Sequence, residues 1–243
     1  MKKIAVLLMF MFSASALASS EGPELERAPI DPRDAASLQR GVRLFVNYCL
    51  NCHSAEFMRY QGLEAFGLKP EEIRDNLIFT NAKVGDLMKI SMRSQEAKAW
   101  FGAAPPDLSV IARARGADWL YGYLRTFYRD DSTLTGWNNL VFPNVGMPHV
   151  LWQLQGEQVA KVEEKTDAHG QKVEHRELVL AEKGAMTPVE YDQAVADLVN
   201  YLVFMGEPTR AKRMQVGIIA LFLLAVLFVF AYWLKKEYWK DVH

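Results

Sequence analysis

Both cysteines of this 243-residue chain stand in one short stretch, Cys49-Leu50-Asn51-Cys52-His53. Two cysteines placed at random would share that spacing roughly 1% of the time, and a histidine follows by chance more rarely still. Cys-x-x-Cys-His is the attachment signature of a c-type haem. The chemistry accounts for the spacing. Two thiols add to the two vinyl groups of one porphyrin, and the neighbouring imidazole reaches the iron as proximal ligand. The pattern therefore predicts one covalently bound haem c on Cys49 and Cys52, with His53 on the metal.

Other uses of two cysteines fit less well. A thiol oxidoreductase sets its pair at the start of a helix that follows a strand. Here the pair ends a helical pattern, because Leu38, Val42, Phe45, Val46 and Cys49 recur at intervals of three and four. A structural zinc site needs two further ligands, and the chain has no other cysteine. A disulfide across two residues would close only a tiny loop.

The residues alone leave the sixth ligand open among three. Met147 is favoured because it stands in Phe142-Pro143-Asn144-Val145-Gly146-Met147-Pro148. A loop punctuated by proline and glycine can hold a thioether rigidly. His149 and Met92 come next. Met58 is too near His53 in sequence, and Met205 and Met214 adjoin the apolar C-terminal run. His169 and His175 sit in a highly charged stretch, and His243 is in the tail.

Composition bounds the remainder. Half the residues are hydrophobic, 23% are charged and the formal net charge is -1. Those averages exclude a disordered chain, a collagen-like chain and a protein held to nucleic acid by bulk positive charge. They also conceal two apolar blocks. Met1 to Ala18 has Lys2 and Lys3, the apolar run Ile4 to Phe12, and Ala16-Leu17-Ala18, which together read as a secretory signal peptide. Val216 to Leu234 is 19 residues without a charge, long enough to cross a hydrocarbon core. Three basic residues lie on each side of it, so charge alone does not orient it. The export signal does. It predicts a single-pass protein of a bacterial inner membrane, with residues 19–209 periplasmic, 210–234 as linker and anchor, and 235–243 in the cytoplasm. The exported part carries about -4 by composition.

Along the chain, 19–35 reads as an acidic, extended arm and 36–49 as the helix leading to the haem. Pro105-Pro106-Asp107-Leu108-Ser109 should be a turn. Asp118 to Arg129 reads as one helix with Trp119, Leu120, Tyr123, Leu124 and Phe127 on one side. Residues 157–184 contain 12 charged residues and two alternating runs around Asp167-Ala168-His169-Gly170, a surface β-hairpin. Thr187-Pro188-Val189-Glu190 is a capping box that opens a helix running to about Gly206-Glu207-Pro208.

The ordered set of these motifs resembles the cytochrome c1 family, the haem subunits of cytochrome bc1 complexes (ubiquinol:cytochrome c reductase). It comprises Arg40-Gly41, Cys49 to Ser54, Pro105 to Ser109, Arg113-Ala114-Arg115, Gly146-Met147-Pro148 and one C-terminal anchor. The resemblance implies a mainly α, c-type cytochrome fold with inserted loops, a small β-hairpin and one C-terminal transmembrane helix. It implies Met147 as sixth ligand, Arg115 on a haem propionate, and the segment around Pro106 against the haem edge. It further implies cytochrome b and the Rieske iron–sulfur protein as partners, and a soluble cytochrome c as electron acceptor. Another membrane-anchored cytochrome c, such as an oxidase or nitrite-pathway subunit, is the nearest alternative.

Overall fold

The computed structural model describes residues 25–166 and 172–241. The expected signal peptide, the hairpin turn at 167–171 and His243 lie outside the described residues. Residues 25–34 form an irregular arm. It is tied to the domain by Ala28, whose amide donates to Asp118 at 2.8 Å, and by Glu26, which pairs with Arg125.

Helix α1 (Ala35–Leu44) begins where the Asp34 side chain accepts from the Ser37 amide at 3.1 Å. That cap satisfies one of the helix's orphan donors. Leu38, Gly41 and Val42 are buried, and a single wider π turn over Phe45–Cys49 then buries Phe45, Val46 and Cys49. The apolar spacing read from the sequence holds as far as the first cysteine. Beyond the Cys-x-x-Cys-His bend come strand β1 (Ala55–Arg59), a 3-10 turn (Tyr60–Phe66), helix α2 (Pro70–Leu77) and strand β2 (Leu87–Met88), which pairs antiparallel with β1. Helices α3 (Ser94–Phe101), α4 (Ile111–Arg115) and α5 (Ala117–Arg125) follow. Residues 105–108 are neither helix nor strand, as the two prolines require.

The expected helix from Asp118 to Arg129 stops at Arg125. Phe127–Arg129 is instead strand β3, paired antiparallel with β4 (Trp137–Asn139). A local break and a distant pairing together override the helical period. Thr126 turns its hydroxyl back to the Gly122 carbonyl at 2.9 Å, and the β-rich Phe-Tyr-Arg run finds a partner ten residues on. After the short helix α6 (Trp152–Gln155), the charged region forms the expected hairpin. Its strands are β5 (Gly156–Thr166) and β6 (Lys172–Lys183), with Val159 opposite Val179. β5 also runs parallel to β3, so the sheet order is β4-β3-β5-β6.

Helix α7 (Pro188–Gly206) opens on the capping box. The Glu190 carboxylate accepts from the Thr187 amide at 2.8 Å, and the Thr187 hydroxyl accepts from the Glu190 amide at 3.4 Å. This helix crosses α1. A Cβ placed on Gly41 would lie 2.1 Å from the Asp197 carbonyl oxygen and 2.8 Å from the Tyr201 Cβ. Only glycine permits the crossing. Beside it Arg40 grips the buried Asp197 carboxylate with two bonds, at 2.6 and 3.0 Å, a bidentate geometry that suits a guanidinium. Helix α8 (Arg210–Tyr238) then carries the apolar run, none of which is buried. It continues past Leu234 through Lys235 and Lys236, so the anchor and the first tail residues are one helix.

Gly41→Ala should lower the unfolding free energy of the haem-bearing protein by about 1–3 kcal/mol, because the helices must part to admit a methyl. Were they not in contact, the substitution would instead bring the usual helix-propensity gain of about 1 kcal/mol. Chemical denaturation separates the two outcomes by sign.

Candidate haem site

An apolar cavity opens between the Cys-x-x-Cys-His bend, the prolines after α3, helices α4 and α5, the 142–150 loop and α7. Cys49, Cys52 and His53 line one part of it, and Met147 lines another. Pro106, Arg115 and Trp119 also line it, as do Leu198 and Leu202 of α7. The structure therefore brings together all six residues that the sequence reading assigns to the site. Of the two rival ligands, neither Met92 nor His149 lines this cavity.

The bend is wound by one acceptor. The Cys49 carbonyl takes the amides of Cys52 at 3.1 Å and His53 at 2.9 Å. Cys49, Cys52 and His53 all line the cavity at this bend. His53 Nδ1 lies 2.7 Å from the Pro106 carbonyl oxygen. A carbonyl can only accept, so Nδ1 carries the proton and Nε2 keeps its lone pair for a metal. Burial holds the imidazole pKa below its usual value, against the Pro106 bond and the Asp107 charge, which raise it. A neutral ring is the ligating form.

Pro106 is held in turn by its neighbours. The Asp107 carboxylate accepts from the Glu56 amide at 2.7 Å and the Ser109 amide at 2.8 Å. The Ser109 hydroxyl accepts from Phe57 at 3.0 Å, and the Leu108 amide donates to the Ser54 carbonyl at 2.9 Å. The Pro-Pro-Asp-Leu-Ser segment is thus fastened to the strand that leaves the histidine.

The loop that carries Met147 is held by two asparagines that sequence reasoning missed. Asn139 is fully buried. Its amide nitrogen donates to the Tyr123 carbonyl at 2.7 Å, and its oxygen accepts from Val141 at 2.9 Å and Phe142 at 3.0 Å. The Asn138 oxygen accepts from the Asn144 amide at 2.8 Å. Asn144 itself sits at φ 60°, the left-handed region that asparagine tolerates better than most residues. The run Trp137-Asn138-Asn139 before a Pro-Gly loop is the signal that could have exposed this clip, since asparagine competes for local backbone bonds. At the end of the loop the Met147 sulfur accepts from the Tyr123 hydroxyl at 3.3 Å.

His149 is buried elsewhere. Its ring lies flat on Phe127, 4.9 Å away and 6° from parallel, with Trp137 edge-on at 5.1 Å. Burial pushes its pKa down to about 4. Arg115 is exposed at the cavity, its guanidinium 5.0 Å from the Trp119 ring centre and 5.7 Å from that of Phe142. Among the described residues it has no carboxylate partner, which leaves its fork free for an acid group.

The site suits a haem on three counts. Its walls are apolar, its histidine is set in the ligating tautomer, and its exposed cation Arg115 has no acid partner among the described residues. It does not suit thiol redox chemistry. Burial pushes the Cys49 thiol up to about 12 and raises that of Cys52, whereas a reactive cysteine needs a lowered value.

Residues 26–242 match the family model described as the Cytochrome C1 family. The chain belongs to the cytochrome c1 family. A cytochrome c1 of Allochromatium vinosum is 46% identical over the whole of both chains. A Nitrosomonas europaea protein named ammonia monooxygenase gamma subunit is 52% identical, again over the whole of both. The mitochondrial cytochrome c1 haem protein of Saccharomyces cerevisiae is 25% identical over 88% of this chain and 70% of its own. As a cytochrome c1, the chain carries haem c and is the membrane-anchored haem subunit of a cytochrome bc1 complex, an electron-transport protein of the respiratory chain. The oxidase and nitrite-pathway alternatives are not favoured.

Asn139→Ala would leave the Tyr123 carbonyl and the Val141 and Phe142 amides without their side-chain partner. Denaturant unfolding should show a loss of about 3 kcal/mol, set by the penalty for unsatisfied buried polar groups. A loss below about 0.5 kcal/mol would mean that the loop is held by something else.

Proposed function

We propose that this cytochrome c1 takes single electrons from the Rieske iron–sulfur protein and passes them to a soluble c-type cytochrome, through one haem bound to Cys49 and Cys52. When bound, the haem supplies a one-electron iron couple. The observation that carries the reading is the meeting of Cys49, Cys52, His53 and Met147 on one apolar cavity.

The residues divide the work. Cys49 and Cys52 would hold the haem through thioether bonds, and the bend between them sets the spacing of the two thiols. His53 and Met147 would hold the iron, and a thioether ligand would favour the ferrous state and a high potential. The apolar walls exclude water and raise the potential further. Arg115 would pair with an acid group of the haem, and Pro106 backs His53 through its carbonyl at 2.7 Å and would pack against the bound group. No general acid or nucleophile is needed. The export signal at residues 1–18 supports a periplasmic domain over 19–209, with the cytoplasmic tail at 235–243 and cytochrome b as the neighbour of the anchor over 210–234. The net charge of the exported part, about -4 by composition, would steer a basic carrier, with rates that fall as salt rises.

The covalent claim is tested on denatured protein, where haem should stay with the wild-type chain and leave it when Cys49 and Cys52 are both replaced by alanine. Met147→Leu should lower the midpoint potential sharply and abolish the methionine–iron charge-transfer band. An unchanged spectrum would sink the ligand assignment. Purification from membranes together with b-type haem and a Rieske centre is the outcome expected for the partners.

A further inference from the structure

Tyr123 has no part in the six-residue site as the sequence presents it, yet its hydroxyl points at the Met147 sulfur. Its residue is nine-tenths buried, and that sulfur, 3.3 Å away, is the hydroxyl's one hydrogen-bond partner among the described residues. A phenylalanine would fill the same space with no polar atom to satisfy.

The ring is not free to turn away. It stacks on Trp119 at 4.9 Å, 11° from parallel, and meets Phe127 edge-on at 5.0 Å. Its own carbonyl is gripped by Asn139, the same side chain that winds the loop toward Met147. Donor and acceptor are thus set from one anchor.

We infer that Tyr123 is a positioning and tuning residue that acts through Met147, raising the haem potential by hydrogen-bonding the thioether sulfur. The inference rests on the reading of Met147 as axial ligand. A thioether sulfur has two lone pairs. One serves a metal, and the other accepts the Tyr123 proton without leaving the first. An O–H on the second pair draws electron density from sulfur and makes it a poorer donor. Ferric iron needs that donation more than ferrous iron does, so the ferric form loses more.

Tyr123→Phe in the intact membrane complex tests this, because the ring and its stacking are retained. Three measurements are read together: the redox-titrated midpoint potential, the methionine–iron charge-transfer band, and cyanide binding to the ferric protein. The band should persist. The ferric-to-ferrous balance should shift about threefold toward ferric, a fall of about 28 mV at 59 mV per tenfold for one electron. Cyanide should displace the methionine about threefold less readily, since a sulfur without the hydrogen bond is the better ferric ligand. If the band persists while potential and cyanide affinity stay put, the Tyr123 inference is wrong and the ligand reading stands. If the variant loses the band or binds cyanide more readily, the hydroxyl merely holds the loop in place, which also overturns tuning. A band missing from the parent protein would overturn the ligand reading first, and this inference with it.

Discussion

Backbone outside helices and strands has amides and carbonyls with no ladder to satisfy them, and the two cavity segments that back His53 and carry Met147, residues 104–108 and 142–148, are backbone of that kind. Buried, each unpaired group costs about 1–3 kcal/mol, so an irregular wall keeps its shape only when side chains supply the bonds. Asp107 and Ser109 do this behind His53, and Asn138 and Asn139 do it behind Met147. The arrangement suits a redox protein. Side chains that bond to main chain at several points fix a loop more tightly than apolar contact alone, and a site that moves little on changing charge wastes little energy in rearrangement.

The helices meet a different demand, which is to bring the two walls to one place. Close approach of α1 and α7 at Gly41 sets their crossing, and the Arg40–Asp197 pair sits against the seam. Burying Asp197 would be costly without that fork, and removal of Arg40 would leave an uncompensated charge. The pair is better understood as fixing register between the helices than as adding net stability.

Those features were unequally legible in the sequence. The cysteine pentad, the apolar spacing before it, the Thr187 capping box and the charged hairpin are local patterns, and they appear where they were expected. The segment after Arg125 was misread because helical spacing continues to Phe127 while the strand pairing that captures it lies in Trp137–Asn139. Asp107, Ser109, Asn139 and Tyr123 were missed for a related reason. Each looks like an ordinary turn or core residue until the chain that it bonds, as much as 52 residues away, is folded beside it. Spacing reveals chemistry that must be contiguous, such as two thiols and an imidazole on one porphyrin. It does not reveal support that arrives from elsewhere.

The support also reaches the membrane. Helix α7 contributes Leu198 and Leu202 to the cavity and ends at Gly206, and α8 begins at Arg210. The joint between them is Glu207-Pro208-Thr209, closed by an Arg213–Glu207 ion pair at 2.5 Å and by the Arg210 amide on the Glu207 carbonyl at 3.1 Å. Three residues reach at most about 10 Å even when extended. The cavity is therefore held close to the anchor that α8 provides. A donor confined to the same membrane meets such a site at an effective concentration set by geometry rather than by bulk diffusion. Fast electron entry then needs no large or sticky interface, and a weak, readily reversed contact is sufficient.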